Sequence, residues 1–415
     1  MTCQSQRNFL SNFLSIDQIR FCSLSLWVAP LIVGLLMTGA VRSQEVESFP
    51  PNPLEMTEPD PLLPNLIVDR PLSPQERRIL TTAIEELRLQ AEAQFRQGDL
   101  PGATEIWLRE LRLRRVLGIE EEIPALSRVG EVAWQENQTI EVRVITERLQ
   151  QIEQEVQLQQ PSPNFDQLRL IAQAYEKMRA IDPAVALYNQ LLLQSRQQGD
   201  RATETATLLS LGELHLAWFN YPASADAYQQ LVQIAQSEGD TQKQIEYLRQ
   251  LATVYQSGEL YEQAIGVQQT LVSLYQQQQN FMPIPFVAVE IGNNYLAINR
   301  PQDAARAYQE AFAVSRSTQQ YGFASEALQR LATLYRSLNQ LDDALVVYQL
   351  LVDVERQSYN TVGIMDAHDQ TGQVLRQLGR TNEAIGAFRR ALQLAQELNY
   401  RVSYFNTQIQ ELSQQ

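Results

Sequence analysis

Few side chains in this sequence are of the kinds that do chemistry in concert. Cys3 and Cys22 are its only cysteines, and His215 and His368 its only histidines. Both cysteines stand near the N-terminus, so no Cys/His set with metal-ligand spacing can be assembled. A nucleophilic cysteine or serine needs a histidine base, and two isolated histidines leave no spare part for one. Counting does not exclude a carboxylate-only site, but no spacing of Asp and Glu marks one. The glycines form neither a phosphate-cradling loop nor a nucleophile elbow. Asn137-Gln138-Thr139 has the form of a glycosylation acceptor, a match too short to weigh much. Catalytic, cofactor and metal sites are therefore all read as none, and the chain as a non-enzyme.

The bulk properties narrow the class further. A length of 415 residues suits two or three ordinary domains or one long repeat array. Apolar residues make up 44%, enough for a large core. The net charge of −15 opposes general nucleic-acid binding, which needs a basic face toward phosphates. It favours basic or neutral partners.

Residues 1–43 read as an export signal. Phe21 to Val41 carries no charge, Arg7 and Arg20 precede it, and small residues surround a cut before Gln44. Pro30 within the run favours cleavage. Left uncut, residues 21–41 are long enough to anchor the chain in a membrane. The expected location is the periplasm or another extracytoplasmic compartment. Residues 44–72 form a proline-rich arm, with prolines at 50, 51, 53, 59, 61, 64 and 71, expected to stay extended or flexible. Pro61 and Pro64 have polyproline-ligand spacing, although a plain spacer is the simpler reading. Ser73-Pro74-Gln75-Glu76 has the form of a capping box, and the folded part is expected from residue 73 to residue 415.

Within that part, residues 249–264 and 329–344 spell nearly the same fragment. The reason is a period of forty. Small residues fall at Ala172, Gly212, Ala252, Gly292, Ala332 and Gly372. Three positions on stand Tyr175, His215, Tyr255, Tyr295, Tyr335 and Leu375. Sixteen positions after the small residue come Tyr188, Tyr228, Gln268, Tyr308, Tyr348 and Phe388. Each module reads as two helices. Leu248, Leu251, Ala252 and Tyr255 make one apolar stripe, Ser257-Gly258-Glu259 breaks it, and Ala264, Val267 and Leu271 resume it. One hairpin cannot hide its apolar face alone, so neighbours must stack. His215 and His368 then occupy packing slots, and the tyrosines form a wedge between hairpins. Six regular repeats span about 165 to 398, two divergent ones lie at 75–160, and Val402, Phe405, Ile409 and Leu412 mark a capping helix over 400–413. In that helix Arg401, Asn406 and Gln410 are expected to face water.

The pattern resembles the tetratricopeptide repeat. Leu211-Gly212, Ile291-Gly292-Asn293-Asn294-Tyr295, and Asn382-Glu383-Ala384-Ile385 followed by Phe388 and Ala391 match its motif. The family's usual period is 34; the six extra residues here lie between modules and should lengthen the helices. With its leader, the chain resembles exported bacterial members. The resemblance implies an all-α, right-handed α-solenoid of about eight stacked hairpins.

It also implies a concave groove lined by the first helix of each repeat. The groove positions expected to bind a partner are Arg169, Leu209, Leu216, Arg249, Phe286, Val289, Asn293, Leu296, Arg336 and Arg376. The leucines, Phe286 and Val289 would form an apolar patch, and Arg249 and Arg336 would take acidic side chains. The carboxylate clamp of some members is absent, since Asn293 stands without partner lysines. The implied function is a scaffold binding peptide or helical segments of other proteins. The alternative is an accessory subunit of an envelope, secretion or enzyme complex. Nucleic acid is not an expected partner, and a membrane is one only through an uncleaved leader.

Overall fold

The computed structural model describes residues 52–56, 58–64, 70–159 and 161–414. The leader, residues 44–51 of the arm, residues 57, 65–69 and 160, and Gln415 lie outside them. Among the described residues there are seventeen helices and no strand. They are α1 (Pro74–Arg96), α2 (Leu100–Leu117), α3 (Ile119–Gln135), α4 (Thr139–Gln157), α5 (Phe165–Lys177) and α6 (Ile181–Gln198). Then follow α7 (Arg201–Ala217), α8 (Tyr221–Glu238), α9 (Thr241–Ser257), α10 (Tyr261–Gln277), α11 (Ile284–Ala297) and α12 (Pro301–Ser317). The last are α13 (Tyr321–Ser337), α14 (Leu341–Gln357), α15 (Thr361–Gln377), α16 (Thr381–Glu397) and α17 (Val402–Ser413). Odd and even helices pair into eight hairpins, and α17 closes the stack. Contacts run chiefly between consecutive helices, as a solenoid requires; α3 with α5 and α11 with α13 are the main additions.

The side-chain pattern repeats every forty residues, but the backbone repeats every twenty. A left-handed residue ends each helix from α5 to α16, at 179, 199, 219, 239, 259, 279, 299, 319, 339, 359, 379 and 399. The next amide donates to the carbonyl five residues back, as in Asp200 to Ser195, Leu260 to Tyr255 and Arg380 to Leu375. This closure satisfies carbonyls that the helix end leaves open. Connections within and between hairpins are thus equally short, and α9, α10, α12 and α13 each hold 17 residues. The residues beyond the usual period have become helix, not loop.

The small positions are small because an aromatic ring lies on them. A Cβ at Gly292 would fall 2.4 Å from the Tyr308 ring, and one at Gly372 2.7 Å from the Phe388 ring. Tyr308 and Phe388 are fully buried. Between hairpins, Gln229, Gln269 and Gln309 donate to the hydroxyls of Tyr255, Tyr295 and Tyr335, one bond per repeat in the same register. The wedge tyrosines thus fill space and tie one hairpin to the next.

At the N-terminus, Ser73 and Glu76 form a reciprocal capping box on α1. The arm differs from the flexible spacer expected. Leu54 is buried, Asp60 accepts two hydrogen bonds from Arg109 at 2.7 and 2.9 Å, and Arg112 donates to the Pro53 carbonyl at 2.6 Å. The arginines of α2 supply donors and the prolines preset the turns, so these stretches dock instead of extending.

Candidate functional site

Odd helices touch one another directly. Phe286 on α11 meets Phe323 on α13 edge to face, with centroids 6.4 Å apart. Gln256 on α9 donates to Glu290 and Asn294 on α11 at 2.9 and 3.3 Å. These helices form the inner face on which the sequence places the partner-binding residues.

The structure distributes those residues unevenly. Phe286 is 54% exposed and Leu296, near the opposite end of α11, is 39% exposed. Arg249 projects from α9, exposed and in no ion pair. Asn293 donates to Glu290 at 3.1 Å and accepts from the Tyr308 hydroxyl at 2.8 Å, so it fixes the floor of the groove. Arg169 is exposed but paired with Asp166 at 2.8 Å. Leu209 and Leu216 are half-buried against the core below α7. They are separated from α11 by α9, so no single apolar patch joins them to Phe286.

Val289 is corrected outright: it is 2% exposed and belongs to the core. Pro283 and Pro285 make α11 begin at Ile284, but its buried positions keep the register of α9, and Val289 packs in the core as an apolar residue where α9 has the exposed Arg249. The C-terminal slots are also occupied. Arg376 donates to Gln408 of α17 at 2.8 Å, and Arg336 donates to Gln370. Asp369 is 2% exposed beneath Arg401 and Tyr404. Arg401 does not face water as expected. It pairs with Asp366 and Asp369 at 2.7 and 2.5 Å and stacks over Tyr404 and Phe405. Asn406 and Gln410 are exposed. The capping helix thus takes the place a following first helix would fill.

Electrostatically, the inner face is acidic near α5 and α7. Burial and the neighbouring Glu176 raise the Glu213 carboxyl above its usual range. The buried tyrosine hydroxyls shift upward; burial, followed by the Glu213 charge, brings Tyr228 to about 12. His368 is 8% exposed in its apolar slot, and burial together with Arg390 and Arg356 holds it down to about 4. Burial also lowers His215. Both are neutral packing groups near pH 7. Among the described residues no cluster of His, Cys, Asp and Glu could hold a metal ion.

Three further residues belong on this face. Phe323 is half-buried against Phe286, and Phe281 and Met282, which precede α11 in the chain, are 44% and 56% exposed. The sequence signal was Pro283 and Pro285 where siblings at 243 and 323 continue a helix.

Residues 225–257 and 366–398 match the family model for the tetratricopeptide repeat. The chain carries tetratricopeptide repeats. The two matches fall in opposite phase, one on α8 and α9 and the other on α15 and α16. A twenty-residue backbone step makes any consecutive pair a repeat-like hairpin. Among solved structures, MamA protein aligns over 48% of this chain and 94% of its own, at 20% identity and a TM-score of 0.33. BtubC from P. vanneervenii aligns over 53% and 92%, at 14% and 0.36. A signal transduction ATPase with a tetratricopeptide repeat sensor, from Pyrococcus horikoshii, aligns over 82% and 50%, at 13% and 0.38. No curated protein matches the chain. No helix among the described residues is long and apolar enough to cross a membrane.

Proposed function

We propose that this chain is a non-catalytic scaffold that holds other proteins through the inner face of its tetratricopeptide solenoid, outside the cytoplasm. One observation carries the reading: Phe286 stands 54% exposed on α11 against Phe323 of α13, with Phe281 and Met282 exposed just before it in the chain. Exposed aromatic and methionine surface costs free energy unless a partner covers it. Export rests on the uncharged run Phe21 to Val41, and anchoring by that run is the form we propose if it stays uncut.

Crosslinking in the native cell followed by mass spectrometry, with Phe286→Asp as the comparison, tests the reading. The variant should lose its partners while keeping its helical circular dichroism. An unchanged set of crosslinked proteins refutes the assignment of this face. Release of the protein into the soluble extracellular or periplasmic fraction, against retention in salt-washed membranes, decides between cleavage and anchoring; recovery from the cytosol refutes export.

A further inference from the structure

The inner face has a charge imbalance that the fold does not use. From α5 to α11 it carries Glu176, Glu213, Glu246 and Glu290, none of them in an ion pair. Glu290 sits at the centre, half-buried, held by amides and not by a cation: Gln256 donates to one oxygen at 2.9 Å and Asn293 to the other at 3.1 Å. Glu176 takes a hydrogen bond from the Tyr188 hydroxyl at 2.7 Å. Burial first, and then the nearby Glu176 charge, raises the Glu213 carboxyl above its usual range. On these helices Arg169, Lys177, Arg201 and Lys243 are paired with Asp166, Glu131, Glu204 and Asp240, which leaves Arg249 as the one cation without an ion pair against four such carboxylates.

This acidic run leads to the apolar ledge at the start of α11. There the left-handed residue Gln279 keeps the twenty-residue beat, but Pro283 and Pro285 hold back the helix by about one turn. Phe281 and Met282 stand exposed just before the helix that carries Phe286, and the backbone there is pinned by Gln320, which donates to the Met282 carbonyl at 3.2 Å.

Resting on the scaffold reading above, we propose that this face docks a basic amphipathic segment of a partner protein. Its apolar side chains cover Phe281, Met282 and Phe286, and its lysines or arginines lie against Glu290, Glu246 and Glu213. The sequence had pointed to acidic partner side chains on Arg249 and Arg336. The charge balance favours the opposite preference, because Arg249 is outnumbered by carboxylates from α5 to α11 and Arg336 lies beyond them on α13, bound to Gln370.

The test is selection from a random twelve-residue peptide library on the immobilised full-length chain at low salt, followed by fluorescence anisotropy of the enriched peptides. Basic sequences with apolar residues three and four apart should be enriched. Their affinity should fall about tenfold in Glu290→Gln, which removes the charge while keeping the side-chain shape and one acceptor oxygen, and at least tenfold in Phe286→Ala. It should also weaken steeply with added salt. Circular dichroism melts confirm that both variants fold. Enrichment of acidic sequences overturns the charge assignment and leaves the scaffold reading standing. No enrichment over the blank support, or affinities unchanged in Phe286→Ala, overturns both.

Discussion

Gly292 and Gly266 both lie inside helices of neighbouring hairpins, and alanine should act on them with opposite sign. At Gly292 a new Cβ would fall 2.4, 2.7 and 2.9 Å from three atoms of the Tyr308 ring. Carbon atoms rest at roughly 3.5–4 Å, so the ring must retreat by about an ångström. It has little room to do so, being fully buried with its hydroxyl bound to Asn293. Overpacking of this kind costs about 1–3 kcal/mol. The gain in helix propensity returns about 1 kcal/mol. Gly292→Ala should therefore destabilise by roughly 1 kcal/mol. At Gly266, which is exposed, nothing lies within 4 Å of the added Cβ. Gly266→Ala should stabilise by about 1 kcal/mol. Urea unfolding followed by far-ultraviolet circular dichroism reads both. A cycle with Tyr308→Leu isolates the contact, since Gly292→Ala should turn neutral or favourable once the ring is gone. If the two glycines respond with the same sign, or the cycle shows no coupling, aromatic packing does not select the small positions.

Three further outcomes follow from single side chains. His368 is held at about 4 in the folded chain against an ordinary value near 6.5, so the unfolded chain takes up its proton first as pH falls. Stability should drop by up to about 3 kcal/mol between pH 6.5 and 4 through this group; His368→Leu should remove that part of the slope, and parallel pH curves for the two proteins would refute it. Tyr359 is left-handed and 92% exposed, so Tyr359→Gly should raise stability by roughly 0.5–1 kcal/mol in urea titrations, and a loss would show that the ring has a structural partner. Arg401→Ala strands the buried Asp369 carboxylate and should loosen α17 by about 2–4 kcal/mol, seen as lost hydrogen-exchange protection over residues 402–413. Unchanged protection there would mean that apolar packing of Phe405 and Leu412 holds the helix unaided.

Helix positions, the hairpin order and the stacking of eight hairpins under a capping helix were all legible in the chain itself. An amphipathic stripe is a local property: Leu248, Leu251, Ala252 and Tyr255 must share a face whatever else the chain does. Repetition then requires neighbours to cover one another. The inner face was legible only in part. Phe286 and Arg249 stand exposed there, but Val289 is buried in the core cluster with Ala304, Ala305 and Tyr308. Arg376 and Asp369 are taken up by α17, and residues of the proline-rich arm dock on α2 through Arg109 and Arg112. These outcomes depend on which groups meet across 30 to 60 positions of chain, and helical periodicity carries no record of such pairings. Charge balance is decided in the same way: counting residues shows an acidic protein, but only the packed helices show which carboxylates have found a cation and which, like Glu290, are held without one.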